Sequence, residues 1–435
     1  MFWIQLIILL ALILIGAQLK GIGLGIMGAL GTLIYVYIFK LPVGNPPIDV
    51  MLIILCVVTA AASLQASGGM DYLVSLAEII IRKNPQSITF IAPLVTFVFT
   101  LLAGTAHISY SLLPIIAEVS AKKGVRPERP LSISVVASHF GIVASPITAA
   151  TVGMLSELQG IAGNTIGLID IVIVVLPASL IGLFAGAIAA HFMGKDLDKD
   201  PVYLEKLKDP EFSKALAFSD TADQTKNHSW RAKASVGVFL SGVFLIVLFG
   251  LIPSLRKVSM IQTIELIMLT VVLINVLLGS AKANQIAKSS IFTAGTEAIV
   301  SIFGVVWMSN TFINANEVFL SESLKGVVAD HTWVFAIAVF FMAALLFSQA
   351  ATVKAVMPLG VKLGILPANL LAIYPAVCGD FVIPSYPTLV AAMNFDKTGT
   401  TRVGKYLFNH SFMVPGLVMT FVTVLCGFII TSFYL

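Results

Sequence analysis

Charge is what this chain has least of. Only 11% of its 435 residues are Asp, Glu, Lys or Arg, against about 25% in a soluble globular protein, so a water-exposed surface cannot be assembled from them and a soluble fold is excluded. Cysteine is scarce as well. Cys56, Cys378 and Cys426 lie singly in apolar stretches with no CxxC spacing, which argues against redox or metal work and leaves lipid-facing or core thiols. No HExxH, GxSxG or paired aspartate constellation occurs at useful spacing, which sets aside an intramembrane enzyme. The first apolar run, Phe2 to Leu19, has no basic start and no small-residue cleavage site, so it reads as a retained helix and not as a signal peptide.

What the chain has is apolar length. Hydrophobic residues make up 58% of it, and the mean hydropathy is +0.99. A bilayer core about 30 Å thick takes roughly 20 such residues per helix, so about ten spans fit, and the fold class is an all-α polytopic membrane protein. The net charge of +4 then reports loop topology and not nucleic-acid binding.

Splitting the chain at the polar stretch 194–233 gives two halves that read as the same series. In 1–193, helices near 3–19, 22–39 and 48–67 precede an amphipathic segment, Asp71 to Lys83. A broken stretch follows over 87–121, then a helix over about 130–160 interrupted at Ser145-Pro146, then a last helix to Met193. In 234–435 the order repeats as 234–252, 258–279, 290–313, a polar segment 316–330, a broken stretch 332–364, an interrupted helix 369–395 and a final helix 406–433. The stretch 194–233 mixes both charge signs and reads as a solvated cytoplasmic linker.

Both broken stretches, TLLAGTAHISYSLLP and ALLFSQAATVKAVMP, combine an apolar run, a small polar patch and a closing proline, the pattern of a re-entrant hairpin. With each hairpin returning to its own side, each half has five crossings, so the halves insert in opposite orientation, the inverted-repeat design of secondary transporters. With the N-terminus placed outside, twenty Lys and Arg fall inside and five outside, and Lys354 in the second hairpin completes the 26. That asymmetry predicts both termini on the periplasmic side.

Four interruptions at membrane depth are therefore expected: Gly104 to Ser109, Ser145-Pro146, Ser348 to Thr352 and Pro384 to Pro387. Such backbone is tolerated only where protein buries it or water reaches it, and the helix that starts beyond each break offers free N–H groups to an anion. Ser145 is the expected N-cap with Pro146 at the first helical position, and Ser385 with Pro387 does similar work in the second half. Prolines that merely kink packed helices would explain single breaks, but four in matched pairs favour a binding site. One end of a ligand would then meet Thr105, Ser109 and the Ser145-Pro146-Thr148 start, with His107 at the tip. The other would meet Ser348, Gln349, Thr352, Lys354 and the Ser385 to Thr388 segment.

Lys354 is the one basic residue with no route to a loop, and an ammonium at that depth costs about 2.5–3.5 kcal/mol on insertion scales. It either meets a substrate carboxylate, snorkels, or pairs with Asp380 or Glu297, the two acids that fall inside expected spans. Those acids either take up a coupling Na+ or H+ or balance Lys354. His107 and His139 titrate near neutrality or serve packing. Glu78 and Arg82, four apart, form a favourable helix pair, and with Arg126 and Arg129 they gather anions, form a pivot or simply follow topology. Gly21, Gly25 and Gly28, and Gly182 with Gly186, read as close helix packing, with a dimer interface as one use.

The segments GTAHIS, ASPITAA, SQAATVKA, IPSYPTLVAA and DKTGTTRVGKYLFNHSF are similar, in order and over essentially the whole chain, to signature segments of the anaerobic C4-dicarboxylate transporter (Dcu) family. The resemblance implies a carrier of fumarate, succinate, malate and aspartate in a bacterial inner membrane, working by exchange or cation-coupled uptake in anaerobic growth. It also implies an elevator-type homodimer, with no cofactor beyond a co-transported Na+ or H+. A dicarboxylate sensor kinase is a further candidate partner, because some carriers of this kind cooperate with two-component receptors. A channel or carrier for another small organic anion is the competing reading.

Overall fold

The computed structural model describes residues 1–435 apart from Lys20, 216–227, Gly279, Glu317, 320–330, Ser385 and Leu407. The described residues form helices and turns, with one isolated antiparallel bridge, Val403 to His410. The helices are α1 (Phe2–Leu19), α2 (Gly23–Leu33, ending in a π-turn), α3 (Ile48–Ala66), α4 (Gly69–Lys83), α5 (Ile88–Ala103), α6 (His107–Lys122), α7 (Glu128–Ala144), α8 (Ala149–Gln159) and α9 (Leu168–His191). Two short ones, α10 (Pro201–Lys206) and α11 (Pro210–Ala215), lie in the linker. Then come α12 (Trp230–Leu251), α13 (Met260–Leu277), α14 (Ala283–Ala287), α15 (Ser290–Ala315), α16 (Trp333–Leu346), α17 (Gln349–Lys362), α18 (Pro367–Ile373) running into a 3-10 stretch Tyr374–Phe381, α19 (Pro387–Phe395) and α20 (Met413–Tyr434).

Seven helical stretches are long and apolar enough to cross a bilayer, or eight with the bent pair α3–α4 as one span. Shorter apolar helices at Phe2–Gly16, Gly23–Ile38 and Trp333–Leu346 add to these. The chain is a multi-pass membrane protein. Its outer helices turn large apolar side chains such as Phe244, Leu266 and Phe421 outward, where only lipid can cover a surface of that extent. The interrupted helix α7–α8 is the opposite case. Some 89% of its apolar window is buried, against 28% for α12, so the broken element sits at the centre with lipid-facing helices around it.

Local chemistry accounts for the bends. Gly68 adopts φ +77° between α3 and α4, which meet at 74°, and α4 keeps Asp71 in its first turn and Arg82 and Lys83 in its last, the arrangement its dipole favours. Its expected counterpart, 316–330, falls mostly outside the described residues. Helices α5 and α6, and α16 and α17, form two helix pairs, each turning on one left-handed residue, Gly104 (φ +67°) and Phe347 (φ +50°).

Contacts between the halves come in exchanged pairs. Helix α2 packs on α15 while α13 packs on α3, and α6 packs on α19 while α17 packs on α8. Glycine makes the first of these close. A Cβ on Gly28 would fall 2.3 Å from the Gly304 carbonyl carbon, and one on Gly182 2.0 Å from Thr423 Oγ1. The glycine spacings are thus filled by this chain's own helices, which corrects their reading as a dimer interface. The linker is held and not loose where it is described. Arg129 binds the Met193 and Gly194 carbonyls at 2.8 and 2.9 Å and Asp196 at 2.7 Å, and Arg126 pairs with Glu128 at 2.5 Å and with Asp200. Both guanidinium groups are committed to these partners.

Candidate functional site

The breaks meet at the centre. At the first, Thr148 and not Ser145 caps the new helix: α8 begins at Ala149, and the Thr148 hydroxyl accepts from Thr151 N and donates to the Ile142 carbonyl at 2.7 Å. Ser145 instead ends α7 in extended conformation, because the Pro146 ring disfavours helical backbone in the residue before it. Its hydroxyl is buried without a partner. At the second break Pro387 stands at the first helical position of α19 as expected, Tyr386 is the N-cap residue, and Ser385 lies outside the described residues.

Each hairpin tip abuts one break. A Cβ on Gly104 would lie 2.8 Å from Ile147 Cδ1, which puts the first tip against the first break. There Thr105 Oγ1 accepts from His107 N at 3.2 Å, Ser109 donates to the Ala106 carbonyl at 2.6 Å, and the exposed His107 ring stacks near Tyr110. At the second tip Ser348 caps α17, Phe347 stacks on Tyr386 with ring centroids 6.2 Å apart, and Gln349 donates to Asp380 at 2.7 Å. Thr352 donates to the Ser348 carbonyl at 2.7 Å.

Helices α8 and α17 leave their breaks side by side. Ala149 joins a small apolar cluster with Ala350 and Ala351, a Cβ on Gly153 would touch Val353 and Lys354, and Glu157 binds the Lys354 ammonium. That register runs the same way along both chains, so the helices are parallel and their N-termini adjoin, one from each half of the sequence. Two such ends concentrate positive potential at one place. The starts of α6 and α19 also pack together, but the first N–H of α6 is taken by Thr105 Oγ1 and the first residue of α19 is Pro387, which has none.

Lys354 is buried as expected, but its partner is neither Asp380 nor Glu297. Its Nζ lies 2.5 Å from Glu157 Oε1 and 3.2 Å from Ser156 Oγ. Asp380 belongs to another cluster: Oδ1 is 2.9 Å from His139 Nδ1, and His139 Nε2 is 2.9 Å from Thr388 Oγ1, with His139 and Asp380 both fully shielded. Glu297 is exposed beside Gly21, at the turn joining α1 and α2, and takes no part in the central cluster. Glu78 and Arg82 pair at 2.7 Å, and Arg82 also reaches Glu118 at 3.0 Å, so they brace α4 against α6 at the hairpin base, away from the tips. Sequence reasoning passed over Glu157 and kept His139 out of the site. The available signal was a lone acid in SELQG somewhat more than two turns after the first break, and a histidine nearly two turns before the same break.

A family model for the anaerobic C4-dicarboxylate membrane transporter matches residues 1–435. The C4-dicarboxylate transporter DcuA of Escherichia coli (strain K12) is 40% identical, with 99% of each chain covered, and the DcuA of Wolinella succinogenes is 38% identical over the same share. The anaerobic C4-dicarboxylate transporter DcuB of Escherichia coli O157:H7 is 36% identical, over 100% of this chain and 99% of its own. Full-length agreement of this kind, joined to a membrane fold with paired helix starts at its centre, has one meaning: the chain belongs to the anaerobic C4-dicarboxylate membrane transporter family, a family of transporters and not of enzymes.

Proposed function

We propose that this protein moves C4-dicarboxylates, among them fumarate, succinate, malate and aspartate, across the bacterial inner membrane by alternating access, in exchange or in uptake. The observation that carries the reading is the pair of parallel helix starts, α8 and α17, one from each half, with a buried lysine on the second. A ligand with an anionic group at each end suits the four helix starts that meet there, α6 and α8 from the first half and α17, with Lys354, and α19 from the second. In this reading one carboxylate meets Thr105, Ser109 and the Ser145 to Thr148 break, and the other meets Gln349, Lys354 and the segment up to Thr388.

The exchanged packing of α2 on α15 and α13 on α3 supports an inverted repeat, and the contrast between a buried broken core and lipid-facing outer helices supports a core that moves as an elevator. The lysine and arginine asymmetry supports both termini outside. A homodimer and a membrane sensor kinase as partner complete the proposal, on family resemblance alone.

Counterflow in proteoliposomes tests it. Vesicles loaded with unlabelled succinate are expected to accumulate labelled fumarate or aspartate, and empty vesicles much less. Equal flux without internal substrate points to a uniporter or channel. Absence of any dicarboxylate flux while another organic anion moves would overturn the substrate class.

A further inference from the structure

At the centre, His139 and Asp380 are an acid and a base that both have no exposed side-chain surface. Around them four elements converge: His139 from α7, Asp380 from the 3-10 stretch, Gln349 from the first residue of α17 and Thr388 from the first turn of α19. The edge of the Tyr386 ring closes one side, with centroids 4.8 Å apart. We propose that His139 and Asp380 form a proton-binding site that loads together with the dicarboxylate, so that H+ is the coupled ion. The inference rests on the transport reading above.

Charge accounting supports it. With one shared proton the pair is neutral overall, whether as imidazolium with carboxylate or as imidazole with carboxylic acid. Without that proton it leaves one net negative charge where water does not reach, which is strongly disfavoured. The proton therefore leaves only when the site opens to solvent. A dianion bound at the neighbouring helix starts adds negative potential and tightens the proton, and by reciprocity the proton tightens the dianion. The connection is direct, because the pair is hydrogen-bonded to the first residue of α17 and the first turn of α19.

Sodium fits less well. It takes oxygen ligands, as hard cations do, and a nitrogen-to-oxygen approach of 2.9 Å leaves no room for an ion between. Other titratable groups face the pair. Cys378 donates to the His139 carbonyl at 3.5 Å, Tyr374 bonds Thr151, and Tyr386 and Tyr110 stand nearby. Thiols and phenols titrate above neutrality, near 8.5 and about 10 in water. His410 is held as neutral imidazole, with Nε2 at 3.1 Å from the Val382 carbonyl and Nδ1 accepting from Phe412 N. On α17 Lys354 is engaged by Glu157, and α5 and α16 carry no ionisable side chain.

The test uses full-length protein in detergent, weakly buffered, with a pH-indicating dye. Succinate addition is expected to draw about one proton from solution per succinate bound, and the succinate Kd to weaken as pH rises, by up to about tenfold per unit. Asp380→Asn, and His139→Gln as a second variant, are expected to bind succinate with a Kd that no longer changes with pH and with no proton uptake, their folding checked by thermal melting. Wild-type binding without proton uptake, or binding that requires Na+ instead, would overturn the inference even where transport stands. Full proton uptake in a folded Asp380→Asn protein would overturn it too. Failure of the wild type to bind any C4-dicarboxylate would overturn the transport reading, and the inference with it.

Discussion

The tip of the first hairpin meets its break through apolar contact, Gly104 against Ile147, and its polar groups bond only within the tip. The tip of the second meets its break through an aromatic stack and an amide to Asp380, with a lysine pair to α8 one turn further on. Their bases reverse the order: α6 of the first is tied by Glu118 to Arg82, whereas α17 carries its tie near the tip. The two hairpins thus differ in kind, the first meeting its break by apolar contact and the second by a ring stack and polar ties. A carrier that must sense an anion needs its electrostatic contacts where the anion arrives, and the second hairpin has them.

The sharpest way to break this contrast is to remove the charge from the second tip. Lys354→Gln leaves the part-buried Glu157 carboxylate without its ammonium partner, and losing one partner of a fully buried ion pair costs about 3–5 kcal/mol, the upper bound here because Glu157 keeps some contact with solvent. The expected outcome is a large fall in melting temperature together with loss of dicarboxylate binding. Adding Glu157→Gln is expected to restore the melting temperature and not the binding. Recovery of both in the double variant would mean that Lys354 serves structure alone.

Changing the first tip should cost less and act differently. In Gly104→Ala the new side chain must hold φ +67°, a conformation that costs an L-residue about 1–2 kcal/mol, and its Cβ meets Ile147 Cδ1 at 2.8 Å. Because Ile147 Cδ1 is the end of a flexible side chain, the break can yield. Stability is expected to fall by about that amount, with counterflow slowed in maximal rate and little changed in substrate KM. A KM effect as large as that of Lys354→Gln would erase the distinction between the hairpins.

How much of this was legible in the sequence follows from the range of each interaction. The hairpins, the amphipathic α4 and the interrupted helices were visible, because glycine, proline and apolar periodicity act within a few residues. The burial of Lys354 was visible for the same reason. Its partner was not: Glu157 lies 197 residues away, and only the parallel course of α8 and α17 brings them together. The capping shift from Ser145 to Thr148 was hidden by a local competition, since the pattern shows a serine before a proline while the backbone places four residues between the two helices. Glu297 was a wrong candidate partner for Lys354 because an apolar pattern marks a helix but not which of its faces turns outward, and Glu297 is exposed.

The finest difference between the tips is a single residue. Where the first hairpin turns on Gly104, the second turns on Phe347 at φ +50°, a conformation glycine adopts freely and phenylalanine only at a cost of about 1–2 kcal/mol. The stack on Tyr386, worth about 0.5–1.5 kcal/mol beyond area burial, offsets much of that strain. Phe347→Gly removes both terms, so the melting temperature is expected to change little. Phe347→Ala keeps the strain, loses the stack and is expected to be the less stable of the two. The tip of the glycine variant is freed from Tyr386 and should exchange backbone hydrogens faster from Phe347 to Gln349 than the wild type, approaching the behaviour of the Gly104 turn. Equal exchange in both proteins would mean that Gln349 and Asp380 hold the tip without help from the ring, placing the whole contrast between the hairpins on charge.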